Sequence, residues 1–492
     1  MKYFSTRDKN NAVSASAAIA QGLASDGGLF VPETIPAVTL SEIGELCKAD
    51  YRERAVAIMG RYLDEFTQDE LRGFVREAYA DNYDCAEIAP TRFLDDSSGV
   101  LELWHGPTCA FKDMALQMLP RLLTASLKKL GEKRRVCILV ATSGDTGKAA
   151  LEGFADVEGT SIVVFYPRDG VSDVQKLQMT TQRGKNVFVS AVEGNFDDAQ
   201  TGVKQIFSDR GFADKLEEKG VFLSSANSIN WGRLLPQIVY YFSAYCDCVN
   251  GGKLSLGDKL DFCVPTGNFG DILAGWYAKK MGLPVRKLIC ASNSNNVLTD
   301  FINTGVYDRN REFFTTISPS MDILISSNLE RLLFMCSDDA SVKGWMAELK
   351  TSGRYDVGAK VLSEIKADFL SGCATDDEAK ACIGKLFKDT GYLMDTHTAD
   401  AYAVLARMRS EGESFPSVIV STASPYKFAD SVLDALGEGG KELGSALIEK
   451  LEAVTGTKAP KPLTGLDGRE VRFTGCTSKE EMADVVMEFI GK

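Results

Sequence analysis

The residues able to do chemistry cluster in a few short turns of this 492-residue chain. The segment Trp104-His105-Gly106-Pro107-Thr108-Cys109-Ala110-Phe111-Lys112-Asp113 puts a lysine where a turn gives way to an apolar helix, MALQMLPRLL. A lysine flanked by Phe111 and Ala110 is desolvated, and the start of a helix surrounds it with positive potential. Both effects lower its pKa and favour the neutral amine needed to form a Schiff base. An isolated lysine is more often a surface residue with a buried stem, so its chemistry alone leaves both roles open.

The turn Thr266-Gly267-Asn268-Phe269-Gly270-Asp271 is the strongest candidate for holding a phosphate. It follows the apolar strand LDFCVP and opens the helix DILAGWYAKKMG. Glycines let the backbone wrap an anion, and a helix N-terminus adds unpaired N–H groups and a positive dipole end. Alone, such a turn can equally hold nothing. A second turn, Thr142-Ser143-Gly144-Asp145-Thr146-Gly147, has the same placement and suits a carboxylate or a phosphate. Two anion-binding turns on one sheet edge suggest a cofactor and a substrate that both carry anionic groups. Neither is a nucleotide fingerprint: no Walker A loop is present, and TGNFGD departs from the dinucleotide glycine pattern.

These turns need a scaffold, and the chain supplies one from about residue 99. Short runs rich in Val and Ile are each followed by a small polar turn and an amphipathic helix, as in RVCILVATSGDTGKAALEGF and LDFCVPTGNFGDILAGWYAKKMG. Repetition of that unit predicts an α/β fold of parallel sheets covered by helices, with ligands at the carboxyl ends of the strands. Residues 1–95 read as a mainly helical N-terminal unit after a strand-like KYFSTR. Residues 338–390 read as charged helices with little strand signal, an inserted subdomain or lid. The tail after 437 is rich in Gly and Lys and ends in the helical SKEEMADVVMEFI.

Composition narrows the class. Hydrophobic residues make up 45% and charged residues 25%, ordinary for a globular enzyme. A net charge of -13 argues against nucleic acid and anionic membrane as partners. No long apolar run is available to span a bilayer, and MKYFSTRDKNN lacks the apolar core of a secretory signal. The 12 cysteines are scattered and often lie within apolar runs, which suits reduced thiols in the cytoplasm. With only His105 and His397 as imidazoles, no metal site is expected.

At these residues the sequence resembles the threonine synthase family, within the fold type II pyridoxal-phosphate enzymes. HGPTxAFKD at 105–113, SGDTG at 143–147, SANSINWGR at 225–233, PTGNFGD at 265–271 and TASPYKF at 422–428 occur in the family's order. The opening YFSTR…GLASDGGLFVPETIP is similar as well. The resemblance implies an N-terminal domain over 1–95 and a small domain over 136–224. A large cofactor-binding domain is implied over 96–135 and 225–470, with the helical insertion at about 338–390.

The resemblance also implies roles. Lys112 would carry pyridoxal 5'-phosphate as a Schiff base and shuttle protons at Cα and Cβ of the substrate. Gly267, Asn268, Phe269 and Gly270 would cradle the cofactor phosphate, and Thr422 would sit beside the pyridine nitrogen. Ser143, Asp145 and Thr146 match the loop that holds the substrate carboxylate and approaches the ring hydroxyl. Asp145 stands where related sequences often have Asn, which puts an anion beside that hydroxyl. Lys176, Ser228, Asn230 and Arg233 would grip the substrate phosphate, arginine through paired donors. His105 is expected to shape its turn, and His397 to belong to a helix start. The implied reaction converts O-phospho-L-homoserine and water to L-threonine and phosphate in a monomer. The alternatives are a phospho-lyase releasing 2-oxobutyrate and a catalytically silent binding homologue.

Overall fold

The computed structural model describes residues 1–142, 144–168, 171–412 and 414–491. Ser143 therefore lies outside the described residues. Two parallel sheets dominate. The larger has six strands in the order Phe369–Cys373, Val285–Ser292, Leu260–Pro265, Ser417–Ser421, Ser98–Glu102 and Thr91–Phe93. All its neighbours pair in parallel except the edge strand Thr91–Phe93. The smaller has five parallel strands, Cys476–Thr477, Val187–Val192, Thr160–Pro167, Arg135–Ala141 and Val221–Ser224. The central strands Leu260–Pro265 and Ser417–Ser421 are buried at every residue, as sheets covered on both faces require.

Three features depart from the sequence reading. The apolar run after Lys112 forms two helices, Lys112–Leu116 and Leu119–Lys129, because Pro120 has no N–H to continue the first and its ring would meet the Leu116 carbonyl. Within the charged 338–390 stretch, Phe369–Cys373 is an edge strand of the larger sheet. Only Phe369 of that strand is buried, so it lacks the apolar run that marks interior strands. The tail returns to the smaller sheet: Cys476–Thr477 adds its edge strand, and Met482, Val486 and Ile490 pack in one cluster with Cys137, Leu139 and Val163.

The N-terminal stretch has no core of its own. A three-stranded antiparallel sheet, with Lys2–Ser5 in the middle, presents Tyr3 to Trp231 at 5.5 Å between ring centroids. Tyr62 packs on the same indole. Tyr79, one residue past the Gln68–Ala78 helix, donates its hydroxyl to Met114 O at 2.7 Å. These residues thus buttress the short helix that begins with Lys112.

One close approach fixes how near two helices of the site lie. The Lys112–Leu116 helix lies against Asp145–Phe154, and a Cβ on Gly153 would stand 2.1 Å from the Leu116 carbonyl oxygen. No side chain fits there without moving backbone. Gly153→Ala is expected to destabilise by about 1–3 kcal/mol, through strain between two packed helices. A urea denaturation series checks it, and an unchanged midpoint would mean the helices are free to separate.

Candidate active site

Lys112 opens its helix with no side-chain cap behind it, and only 9% of the residue is exposed. Its Nζ lies 3.3 Å from Ser320 Oγ and 3.5 Å from Asp145 Oδ2. The loop before it is stitched to the segment after Ser417–Ser421. Phe111 N–H donates to Thr422 O at 2.7 Å, Ser424 N–H donates to Cys109 O at 3.0 Å, and Ala110 bridges Ala423. That stitching brings Thr422, which is buried and makes no side-chain hydrogen bond among the described residues, alongside Lys112.

Asp145 is the first residue of the Asp145–Phe154 helix, following Gly144 at φ 142°, a backbone angle that L side chains rarely adopt. Its Oδ1 accepts from Lys427 Nζ at 2.7 Å and from Gln175 Nε2 at 2.8 Å. Burial alone would raise its pKa, but Lys427 and Lys112 outweigh that and hold the carboxyl well below its ordinary range. Burial, with the positive charges of Lys427 and Arg233, depresses the Lys112 amine against the pull of Asp145. Neither Lys427 nor Ser320 was named in the sequence reading. Lys427 stands inside the motif TASPYKF, whereas Ser320 lies outside every motif that carried the resemblance.

Ser320 is placed by a buried chain. Its N–H donates to His397 Nε2 at 3.2 Å, and His397 Nδ1 is 2.9 Å from Asp395 Oδ1. Accepting from a backbone N–H requires an unprotonated Nε2, so the proton sits on Nδ1 facing Asp395. His397 does belong to a helix start, and it also steadies the turn that faces Lys112.

The turn 266–270 joins Leu260–Pro265 to the Gly270–Met281 helix. Phe269 adopts the left-handed conformation, and that helix has no side-chain N-cap. The N–H groups of Gly267, Asn268, Phe269 and Gly270 make no hydrogen bond among the described residues. A Cβ on Gly267 would meet Ser320 O at 2.7 Å, so only glycine lets the Ser320 turn close over the cradle. Asp271, next along, is buried and pushed up to about 6 by burial, while Tyr240 and Tyr241 donate to its Oδ1.

The remaining predicted residues are distributed less evenly. Arg233 is buried and donates to Ala226 O, but its Nε has no partner among the described residues. Burial lowers its pKa to about 10. The Asn230 side chain is committed to the scaffold: it caps Trp231–Asn250 through Gly232 N–H at 2.8 Å and donates to Ile19 O at 2.9 Å. Ser228 is half-buried in the preceding turn, and Thr146 is half-buried beside Asp145. Lys176 is exposed on Asp173–Thr180, the helix that also sends Gln175 to Asp145, and forms no ion pair among the described residues.

Comparison with known proteins identifies the family. The family described as pyridoxal-phosphate dependent enzyme matches residues 100–344, the stretch holding Lys112, Asp145 and the 266–270 cradle. Models described as threonine synthase N terminus and threonine synthase, C-terminal match residues 2–79 and 398–490. Human threonine synthase-like 1 is 43% identical over 86% of the chain, which spans 58% of that relative's length. Threonine synthase of Saccharomyces cerevisiae is 38% identical, covering 88% of this chain and 89% of that one. The crystal structure of pyridoxal-phosphate-bound threonine synthase from Brucella melitensis superposes with a TM-score of 0.88 at 40% identity, covering 100% of this chain and 98% of its own. The chain belongs to the threonine synthase family.

His105 shapes its turn through charge. Its Nδ1 is 2.6 Å from Asp84 Oδ1 and its Nε2 3.0 Å from Glu102 Oε2. Burial would lower its pKa, yet those two carboxylates raise it from 6.5 to about 9. A pKa raised on folding adds stability that is complete below pH 6.5 and is lost as pH rises through about 9. Denaturation across that window should show wild type losing on the order of 2 kcal/mol relative to His105→Gln. Parallel curves for the two proteins would exclude the charged pairing.

Proposed function

We propose that the chain converts O-phospho-L-homoserine and water to L-threonine and inorganic phosphate, with pyridoxal 5'-phosphate attached at Lys112. The observation that carries this reading is a buried lysine beside a turn whose free N–H groups point to an anion. Gly267, Asn268, Phe269 and Gly270 would hold the cofactor phosphate, since their amides lack partners and an uncapped helix follows them. Thr422 would face the ring nitrogen and Asp145 the ring hydroxyl. The donor set therefore fits the group. Bound there, pyridoxal phosphate supplies an electron-withdrawing ring that makes carbon-bound protons of an attached amino acid acidic.

The rest is work for the chain's own residues. Lys112 Nζ, held low in pKa by burial, takes the proton from substrate Cα and then carries the proton transfer at Cβ. Ser320 Oγ, 3.3 Å away, accepts from the lysine when it is charged and keeps Nζ over one position. Arg233, with Nε buried and unpaired, would take the substrate phosphate, and Lys176 and Ser228 would close on it from the rim. An arginine already desolvated gives up little hydration on meeting a phosphate. Asn230 would act through the helix start it caps. Ser143 and Thr146 would hold the substrate carboxylate. The cysteines carry free thiols, which suits the reducing cytoplasm.

Purified protein given O-phosphohomoserine should release threonine and phosphate in equal amounts. Lys112→Ala should lose the cofactor absorbance on gel filtration and lower threonine formation by roughly 10²–10⁴-fold. Phosphate accompanied by 2-oxobutyrate would make the chain a lyase, and no phosphate at all would remove this substrate.

A further inference from the structure

Lys427 has a role that neither the motif reading nor the relatives' names assign. Its side chain is 0% exposed, and its Nζ lies 2.7 Å from Asp145 Oδ1. It also donates to Thr108 O at 2.9 Å, which fixes it to the loop that delivers Lys112. Asp145 thus has two lysine neighbours, and Lys427 is the nearer: Lys112 stands at 3.5 Å from the other oxygen. Gln175 adds a neutral donor to the oxygen that Lys427 holds.

The other charged groups around Lys112 do not take over the pairing. Arg233, from Trp231–Asn250, is a further cation and opposes a charge on Lys112. Asp271, from Gly270–Met281, feels Lys112 but already accepts from the hydroxyls of Tyr240 and Tyr241. Ser320 offers only a neutral acceptor.

We propose that Lys427 is a positioning residue that neutralises Asp145 in a permanent buried ion pair, leaving Lys112 free to act as an uncharged nucleophile. A buried carboxylate with Lys112 as its only cation would hold that amine as an ammonium, because separating the two strands charge in a low-dielectric interior. With Lys427 in place, the pair is neutral without any contribution from Lys112. The inference rests on the reading of Lys112 as the cofactor-bearing lysine, and it extends that reading to the departure at 145. An aspartate there meets the ring hydroxyl as half of a neutral pair.

The test follows acetylation of Lys112 in the full-length chain after cofactor removal. Pulses of acetic anhydride across a pH series are read by peptide mass spectrometry, with exposed Lys48 as internal control. Lys427→Met should move the Lys112 midpoint up by about one pH unit or more, while Lys427→Arg stays near wild type. Asp145→Asn should move it down, and the double variant should return towards wild type. An unmoved midpoint in Lys427→Met overturns the proposal. Should that variant fail to fold, a double variant no higher than Asp145→Asn overturns it equally. Borohydride reduction of the cofactor-loaded wild type reports separately on the underlying reading. Cofactor recovered on another residue sinks that reading, whereas cofactor on Lys112 with an unmoved midpoint sinks the role of Lys427 alone.

Discussion

A carboxylate taken out of water cannot be left without a counter-charge, and Asp145 is such a carboxylate, 4% exposed at the carboxyl edge of the smaller sheet. Its lysine partners come from elsewhere, Lys112 and Lys427 both belonging to segments that leave the carboxyl edge of the larger sheet. The ionic contact therefore fixes how the two edges face each other. It also explains the stitching of 109–111 to 422–424, since the two lysines have to arrive together.

Support for that contact runs outward through hydrogen bonds. Tyr79 holds the Lys112 helix by its Met114 carbonyl, and Asp84 and Glu102 hold His105 at the head of the same loop. On the opposite side, Arg7 and Thr6 grip Glu330 at 2.8 and 2.6 Å, anchoring the segment that follows the Ser320 turn. The N-terminal stretch contributes stiffness. The proton transfers proposed for Lys112 would gain from a support that keeps its helix from tilting.

Legibility in the sequence followed local physics. The turns at 142–147 and 266–271 could be read because strand, turn and helix occur consecutively, which puts each turn at a strand's carboxyl end, whereas the roles of Lys112 and Asp145 came from the family resemblance of their motifs. Lys427 was passed over within a motif already quoted: a lysine is normally solvated, and only the folded chain reveals that this one is buried against a carboxylate. His397 and Ser320 are 77 residues apart and meet only through tertiary packing. Cys476–Thr477 has two residues, too few for any alternation to register.

The tail shows how such distant pieces reach the chemistry. Arg472 N–H donates to Thr180 O at 2.9 Å and its guanidinium to Gln182 O at 2.6 Å, clasping the end of Asp173–Thr180. That helix carries Gln175, which donates to Asp145. It also carries Lys176 towards solvent. Because Gln175 and Lys176 are neighbours on one helix, any shift that brings Lys176 inward also changes the contact of Gln175 with Asp145. The rim position proposed for Lys176 and the contact at Asp145 are then joined through one helix, whose end the tail clasps.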